Sequence, residues 1–422
     1  MTEAQVLRDA SCADDFDPNS LAVEEALSRI ESFIKPIVDS EQVAVRSALG
    51  RVLAQDVLSP IDVPQHDNSG MDGYAVVSDD LPASGTIKLE VVGTSWAGKP
   101  FAGAVQSGQC ARIMTGGVLP AGTDAVVMQE HVEVAGDSVK IGTGHRKGQH
   151  VRYAGEDLAT GAIALHAGHR ITPSDLGLAA SLGRIELRVF RKPRITFFST
   201  GDELRSLGEA LEEGEVYDSN RYTLFGMLTQ LGVDFVDAGV VRDDQDELRD
   251  ILARSAQTSD AIITSAGASV GDADFVQQTL TELGQVNFWK IAMKPGRPLA
   301  FGKIDNALFF GLPGNPVSVM VTFYQFVLPA LRRLMGQLQT APLRLQVKCA
   351  STLKKNPGRM EFQRGVLEVD KNGEMIVRST GEQGSGILSS MTQANCFIVL
   401  PTTSDNVAAG DLVEIEPFYG LM

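Results

Sequence analysis

The chain has 422 residues, 43% of them hydrophobic, and a formal net charge of −16 at pH 7. That length predicts several domains, each able to bury its own core, and the acidic balance excludes a general binder of nucleic acid or anionic membrane, whose surfaces are basic. Four scattered cysteines, Cys12, Cys110, Cys349 and Cys396, show no metal spacing and predict reduced thiols in a cytoplasmic setting rather than a disulfide framework.

Residues 1–19 read as a polar, acidic tail without the basic and apolar regions of a signal peptide. Ser20 is placed to cap a helix whose apolar positions Val23, Leu27, Ile30 and Ile34 follow helical spacing, with Pro36 ending it. Val43 and Val45 predict a short strand, and Ala48 to Leu58 a second short helix. From Asp62 to Arg152 short apolar runs, such as Leu89–Val92, Ala111–Met114 and Ala125–Met128, alternate with Gly and Pro turns, which predicts a small β-rich unit. A short helix follows over Pro173–Leu182.

From Pro193 to about Gly336 strands and helices alternate. Strands are expected at Ile195–Phe198, from Phe235, at Ala261–Ile263, and near Phe288–Ile291, Leu299–Phe301 and Leu308–Phe310. Helices are expected through Tyr222–Leu231, around Leu248–Leu252 and over Val276–Leu283. This alternation predicts a doubly wound, largely parallel sheet, with ligands bound beyond the carboxyl ends of its strands. The last strand runs into Gly311–Ser318, where Pro313 and Pro316 fix φ, Asn315 is a good N-cap and the helix continues to Leu328. A helix N-terminus there is a ready anion site. The apolar stretch around Val317 to Leu331 is broken by Gln325 and Pro329 and is too short to span a membrane. After Pro342, candidate strands at Leu343–Val347, Phe362–Val369, Met375–Arg378, Phe397–Leu400 and Leu412–Ile415 predict a small barrel or sandwich.

Four polar turns fall at strand ends of the expected parallel sheet: Ser199–Glu203, Arg242–Asp244, Ser265–Asp274 and Gly311–Ser318. Together they predict one pocket on one rim. Glu203, Asp243 and Asp274 suit a hard cation such as Mg²⁺ as a set, although each alone reads more readily as a cap or a solvated turn. Lys290, Lys294 and Arg297 suit an oxyanion. Gly267–Gly271 matches the G-x-S-x-G nucleophile elbow. No histidine lies downstream of His169 to complete a hydrolase triad, so the loop reads better as an anion cradle using Ser269. Asp67–Tyr74 is dense in turn formers and reads as a functional loop. His166 and His169 have metal-ligand spacing without an evident third ligand.

These segments carry a run of motifs in order: DNSGMDGYAV, RIMTGG, VVMQE, GEDL, FSTGDEL, DSNR, RDD, SVGDAD, KPGRPLAFG, GLPGNPVS, PGRMEFQRG and NCFIVL. In number and order they resemble the molybdopterin molybdenumtransferase family, MoeA and the gephyrin E-domain, from about Leu21 to Phe418. The resemblance implies a multidomain α/β plus β chain. Its parts are a discontinuous elongated N-terminal domain (20–61 and 153–190), an inserted β-rich domain (62–152), a doubly wound molybdopterin-binding α/β domain (191–338) and a C-terminal β-barrel (339–422). It implies a homodimer with composite sites, contact with other molybdenum cofactor biosynthesis and delivery proteins, and Mg²⁺-dependent insertion of molybdate into adenylylated molybdopterin with release of AMP. By the same resemblance Asp72, Thr115, Arg152, Asp157, Glu203, Asp243 and Asp274 handle catalysis and metal. Ser269, Lys290, Lys294, Arg297, Arg364 and Ser385 contact anions, and Pro313 and Pro316 shape the anion turn. Three positions depart from the family pattern: His66, Gly70 and Ala266. The last adds a Cβ that would restrict a left-handed backbone. A scaffold that has lost turnover and a Mg²⁺-dependent nucleotide hydrolase are the rival readings, and tungstate is an alternative substrate to molybdate.

Overall fold

A computed structural model describes residues 19–266, 274–338 and 341–418, with backbone alone for 274–277. The chain divides into two compact units. One holds residues up to Glu41, Gly50–Ala54 and Val189 onward; the other holds Gln42–Leu49 and Gln55–Arg188.

The first helix, α1, spans Val23–Phe33 and buries Val23, Ala26 and Ile30. Ala22, not Ser20, occupies its N-cap, without a side-chain bond, and it ends before Pro36 is reached. The short strand expected near Val43 runs over Ser40–Ala44, and a 3₁₀ turn follows at Val45–Ser47. The helix expected over Ala48–Leu58 does not form. Gly50 sits at φ 73°, and that left-handed residue stops a helix from propagating, although Ala48, Val52 and Leu53 are buried at helix-like spacing.

The second unit is built on a six-stranded sheet. Its strands are β1 (Gly73–Val76), β2 (Ile87–Ser95), β3 (Gln109–Ile113), β4 (Ala125–Met128), β5 (Val132–Ala135) and β6 (Ser138–Ile141). Their order is β4-β1-β3-β2-β6-β5, and only β2 and β3 pair in parallel. Tyr74, Val76, Leu89, Cys110, Val127 and Val139 fill one face of it. Helix α2 (Pro173–Ser181) starts with a capping box between Thr172 and Asp175, and Pro173 lies in its first turn. His169 bonds Asp175 (2.7 Å) and His166 lies 3.8 Å from Asp56, so each of these histidines faces its own carboxylate rather than a shared ligand.

In the first unit the alternation expected from Pro193 onward is observed. Strands β7 (Arg194–Thr200), β8 (Asp234–Val241) and β9 (Ala261–Ser265) alternate with helices α3 (Ser219–Leu231), α4 (Gln245–Thr258) and α5 (Asp274–Leu283). Then follow β10 (Gly284–Lys290), β11 (Met293–Lys294), β12 (Pro298–Ile304) and β13 (Ala307–Leu312). The sheet order is β8-β7-β9-β13-β12-β10. The first four strands are parallel; β12 and β10 are antiparallel to their neighbours. Phe197, Ile263 and Phe310 enter one core, while Phe198, Ile262 and Phe309 enter the other. The period-two alternation of a strand therefore feeds both faces, and each buried Phe contributes roughly 1.5–3 kcal/mol.

Beyond β13, helix α6 (Pro316–Thr322) passes into a π-helical turn at Phe323–Val327 and then α7 (Leu328–Leu334). The sequence reads as one α-helix there. Pro329 cannot donate to the preceding turn, and the widened turn lies immediately before it. The C-terminal strands are β14 (Leu345–Cys349), β15 (Met360–Val369), β16 (Met375–Ser379), β17 (Cys396–Leu400) and β18 (Leu412–Pro417). They run β15-β16-β14-β18-β17 and close through β15–β17, giving a five-stranded barrel. Strand β11 pairs in parallel with β15, Lys294 beside Glu361. Phe362, Phe397 and Val399 join the core that holds Phe310 and Val317. Among the described residues no helix is long and apolar enough to cross a membrane.

Candidate functional site

Between the α/β layer and the barrel of the first unit lies a cavity of about 620 Å³. Three segments line it: the turn Met293–Pro298, the end of β13 and start of α6 (Pro313, Gly314, Asn315 and Ser318), and barrel residues from Thr352 to Ser385. Lys294, Arg297, Lys354, Arg359 and Arg364 bring positive charge to it, against Glu361 and Glu382. A surplus of cations in a strongly acidic chain marks an anion site.

Each wall has a local cause. Gly296 takes φ 97°, and a Cβ there would lie 2.6 Å from Thr322 Oγ1. Only glycine therefore lets the turn carrying Lys294 and Arg297 pack on α6. Asn220, in the first turn of α3, donates from Nδ2 to the Gly314 carbonyl (2.7 Å) and pins the turn after β13. Arg364 is 1% exposed yet borders the cavity. Its Nε donates to Ser390 Oγ (2.9 Å) and its Nη2 to the Gly384 carbonyl (2.9 Å). Burial pulls its pKa down to about 10, opposed by the charge of Glu361, so it remains a cation at neutral pH. Lys355, next in sequence to Lys354 and 2% exposed, also has its pKa lowered by burial, and it donates to the Asn356 carbonyl (2.6 Å).

The anion turn expected at Gly311–Ser318 borders this cavity, but its helix end is partly filled by the chain. Pro316 has no N–H, and the Val317 N–H donates to the Ser385 carbonyl (3.0 Å). Asn315 holds the N-cap position without a side-chain capping bond. Ser385 thus contributes its backbone here, and Pro313 lines the cavity while Pro316 opens α6. Lys290 stands exposed at the end of β10, its carbonyl bonded to the Leu21 N–H, and is not among the described lining residues.

Glu203 and Asp243 come together at the carboxyl ends of β7 and β8. The pKa of Asp243 is raised, first by burial, then by the negative charges of Asp202 and Glu203. The Asp243 N–H donates to Asp202 Oδ1 (3.3 Å). Among the described residues no three His, Cys, Asp or Glu side chains are arranged to hold a metal ion. The third expected ligand, Asp274, is described only by its backbone at the start of α5, and Ser269 lies outside the described residues, as does the G-x-S-x-G match. Ala266, the last residue before that loop, takes φ 70°, the left-handed backbone that its Cβ disfavours.

In the second unit Asp72 accepts from the Thr115 N–H (2.8 Å) and hydroxyl (2.7 Å), and these bonds hold its carboxyl below the usual range. Arg152 pairs with Asn68 across two short strands, and its Nε would lie 3.6 Å from a Cβ at Gly70. The Asp157 N–H donates to the Val63 carbonyl (3.0 Å). The loop from Asp67 to Asp72 and the segment from His150 to Asp157 thus form one polar surface, joined also by the Gly70 N–H to the His150 carbonyl (2.8 Å).

A second cavity, of about 600 Å³, lies at the opposite, amino ends of the parallel strands. Its Arg191 and Asp260 satisfy one another through two bonds (2.7 and 2.8 Å). Sequence reasoning did not find Asn220, Gln363 or Gln383. They are single polar residues in regular or loop segments, and only the motifs DSNR and EFQR, which contain the first two, carried a signal.

Residues 21–183 match the family model of the MoeA N-terminal region (domain I and II), residues 196–333 that of a probable molybdopterin binding domain, and residues 346–418 that of the MoeA C-terminal region (domain IV). The chain is 43% identical over 404 residues to a molybdopterin molybdenumtransferase of Haemophilus influenzae, covering 95% of this chain and all of that protein. It is 34% identical to gephyrin of Dictyostelium discoideum, over 94% of this chain and 62% of gephyrin. The crystal structure of a molybdopterin biosynthesis moeA protein from Pyrococcus horikoshii superposes with a TM-score of 0.83 at 29% identity, covering 94% of this chain and all of that one.

Proposed function

Because the chain belongs to the molybdopterin molybdenumtransferases, transferases of molybdenum cofactor biosynthesis, we propose that its cationic cavity holds molybdate for insertion into adenylylated molybdopterin, with release of AMP. The observation that carries this reading is the concentration of Lys294, Arg297, Lys354, Arg359 and buried Arg364 around one cavity of an acidic chain. Arg364 and Arg297 present guanidinium forks suited to a tetrahedral oxyanion, and Lys294 supplies a point charge. Held there, molybdate meets the dithiolene of a bound pterin as a neighbour rather than by diffusion.

The carboxylates of Glu203 and Asp243 form an all-oxygen donor set that suits Mg²⁺. The pKa of Asp243 is raised by burial first and then by the charges of Asp202 and Glu203; a cation would relieve the charge repulsion, and Asp274 is the third proposed ligand. Bound Mg²⁺ would polarise the phosphoanhydride of the adenylylated substrate. Asp243, its pKa raised in this way, orients a water or accepts its proton. Asp72, fixed by Thr115, stays ionised, and Thr115, Arg152 and Asp157 complete a second polar surface for substrate. A cytoplasmic homodimer that exchanges pterin with other cofactor-synthesis and delivery proteins completes the reading.

The test is AMP release from adenylylated molybdopterin with Mg²⁺, with and without molybdate. Release stimulated by molybdate, with molybdenum appearing on the pterin, is expected. Equal release in both conditions would instead assign a nucleotide hydrolase, and tight pterin binding without release would assign a scaffold.

A further inference from the structure

Arg364 is held at both ends by one short segment, Thr380–Ser385. At the head, the Gly384 carbonyl accepts from Nη2. At the backbone, the Arg364 N–H donates to Gln383 Oε1 (2.7 Å), while the Arg364 carbonyl accepts from the Thr380 N–H (3.1 Å) and from Gln383 Nε2 (3.2 Å). The last β15–β16 pair is Gly365 with Ser379. Past that point β16 has ended: the Thr380 N–H still donates to the Arg364 carbonyl, but the Arg364 N–H meets no carbonyl of β16. The Gln383 amide oxygen takes the place of that missing carbonyl and completes the rung. Nε2 also reaches Ser379 Oγ (3.0 Å) and the Gly381 carbonyl (3.2 Å), so the same amide closes the loop on itself. The next carbonyls along, those of Gly384 and Ser385, then meet the Arg364 guanidinium and the Val317 N–H.

We propose that Gln383 is a positioning residue: its amide clamps Arg364 and the Thr380–Ser385 loop so that the guanidinium faces the cavity in one fixed orientation. A guanidinium has five N–H donors. Two are spent on Ser390 and Gly384, which leaves the remainder to meet an oxyanion, and their aim depends on where the Arg364 backbone is fixed. The proposal rests on the reading of the cavity as the oxyanion site, and the experiment separates the two.

Molybdate alone is titrated into the full chain, into Gln383→Leu and into Gln383→Glu. Gln383→Leu removes the clamp and is expected to weaken molybdate about tenfold, the loss of roughly one charge-assisted contact. Binding of adenylylated molybdopterin should change by less than about twofold. Gln383→Glu keeps the acceptor for the Arg364 N–H and so should retain slow exchange of that amide, while its new charge on the cavity wall weakens molybdate by repulsion. A general loss of fold would lower both ligands together. In parallel, hydrogen exchange at the Arg364 amide reports the clamp without any ligand, and it should accelerate in Gln383→Leu. Unchanged molybdate affinity in folded Gln383→Leu, or Arg364 amide exchange as fast in Gln383→Glu as in Gln383→Leu, overturns the proposal. If the parent chain binds no molybdate, the reading of the cavity fails; the clamp then stands or falls on Arg364 amide protection, and unchanged protection removes it.

Discussion

Ala266 ends β9 in a left-handed backbone, with φ at 70°. Its N–H makes only a long bond to the Pro313 carbonyl (3.4 Å), and its Cβ faces Gly314, where an added Cβ would lie 3.6 Å away. A non-glycine residue in this region stores about 1–2 kcal/mol. Ala266→Gly releases that strain and should raise the unfolding free energy by about 1 kcal/mol. Urea denaturation measures it, and a lower midpoint for the variant would contradict the strain. Asp243 illustrates a different compromise. Its folded-state pKa lies above the ordinary 3.8 because of burial and then Asp202 and Glu203. Below that ordinary value it is protonated in both states and contributes nothing. As pH rises the unfolded chain ionises first, so the fold is penalised, fully so above the raised value. Asp243→Asn should therefore melt higher than the parent at about pH 7 and no differently at about pH 3. Added Mg²⁺ should raise the parent toward the variant by mass action if these carboxylates hold it. A lower melting temperature for Asn at neutral pH would reverse the sign of the argument.

At the scale of elements, the turn between β11 and β12 depends on one glycine. Gly296→Ala would demand φ 97° of an alanine and set its Cβ 2.6 Å from Thr322 Oγ1 on α6. Backbone strain and overpacking together should cost about 2–4 kcal/mol. Molybdate binding should weaken with it, because Lys294 and Arg297 ride on the same turn. A variant of unchanged stability would show that the turn can relax. Elements whose burial is written into composition were legible in the sequence. Ala307–Phe310 is apolar at every position because both faces of β13 are covered. Ile195–Phe198 reads much the same way for β7, with Thr196 its one polar residue. Elements set by a single backbone conformation were not. Ala48, Val52 and Leu53 imitate a helical face, yet Gly50 turns the chain out of helix between them. Pro329 interrupts the apolar stretch after β13, but nothing in the sequence showed that the chain would pass through it by way of a π turn at Phe323–Val327.

For the whole molecule, the legible part of the site is the part with unusual chemistry for its surroundings. Lys294 and Arg297 stand out beside Pro295 and Gly296, and Glu203 and Asp243 stand out at strand ends. Arg364 and Ser385 came from motif resemblance alone, since a single Arg inside a strand pattern has no spacing signal. Gln383 had no signal at all, because its role is to imitate backbone. The contrast between a local cation cluster and a net charge of −16 also sets how an anion arrives. A dianion approaching from solvent is first repelled by the whole chain and attracted only near Lys294, Arg297 and Arg364. Salt screens the long-range repulsion, which acts over more than a Debye length of about 10 Å at 0.1 M. It screens the attraction within the cavity much less, because the partners there are close and Arg364 is buried. Raising sodium chloride from about 10 mM to about 150 mM should therefore speed molybdate association by about two- to threefold, the reverse of what a basic protein would show. Stopped-flow association across that range is the measurement. A rate that falls as salt rises would mean that the cavity's own field, and not the acidic surface, governs the approach.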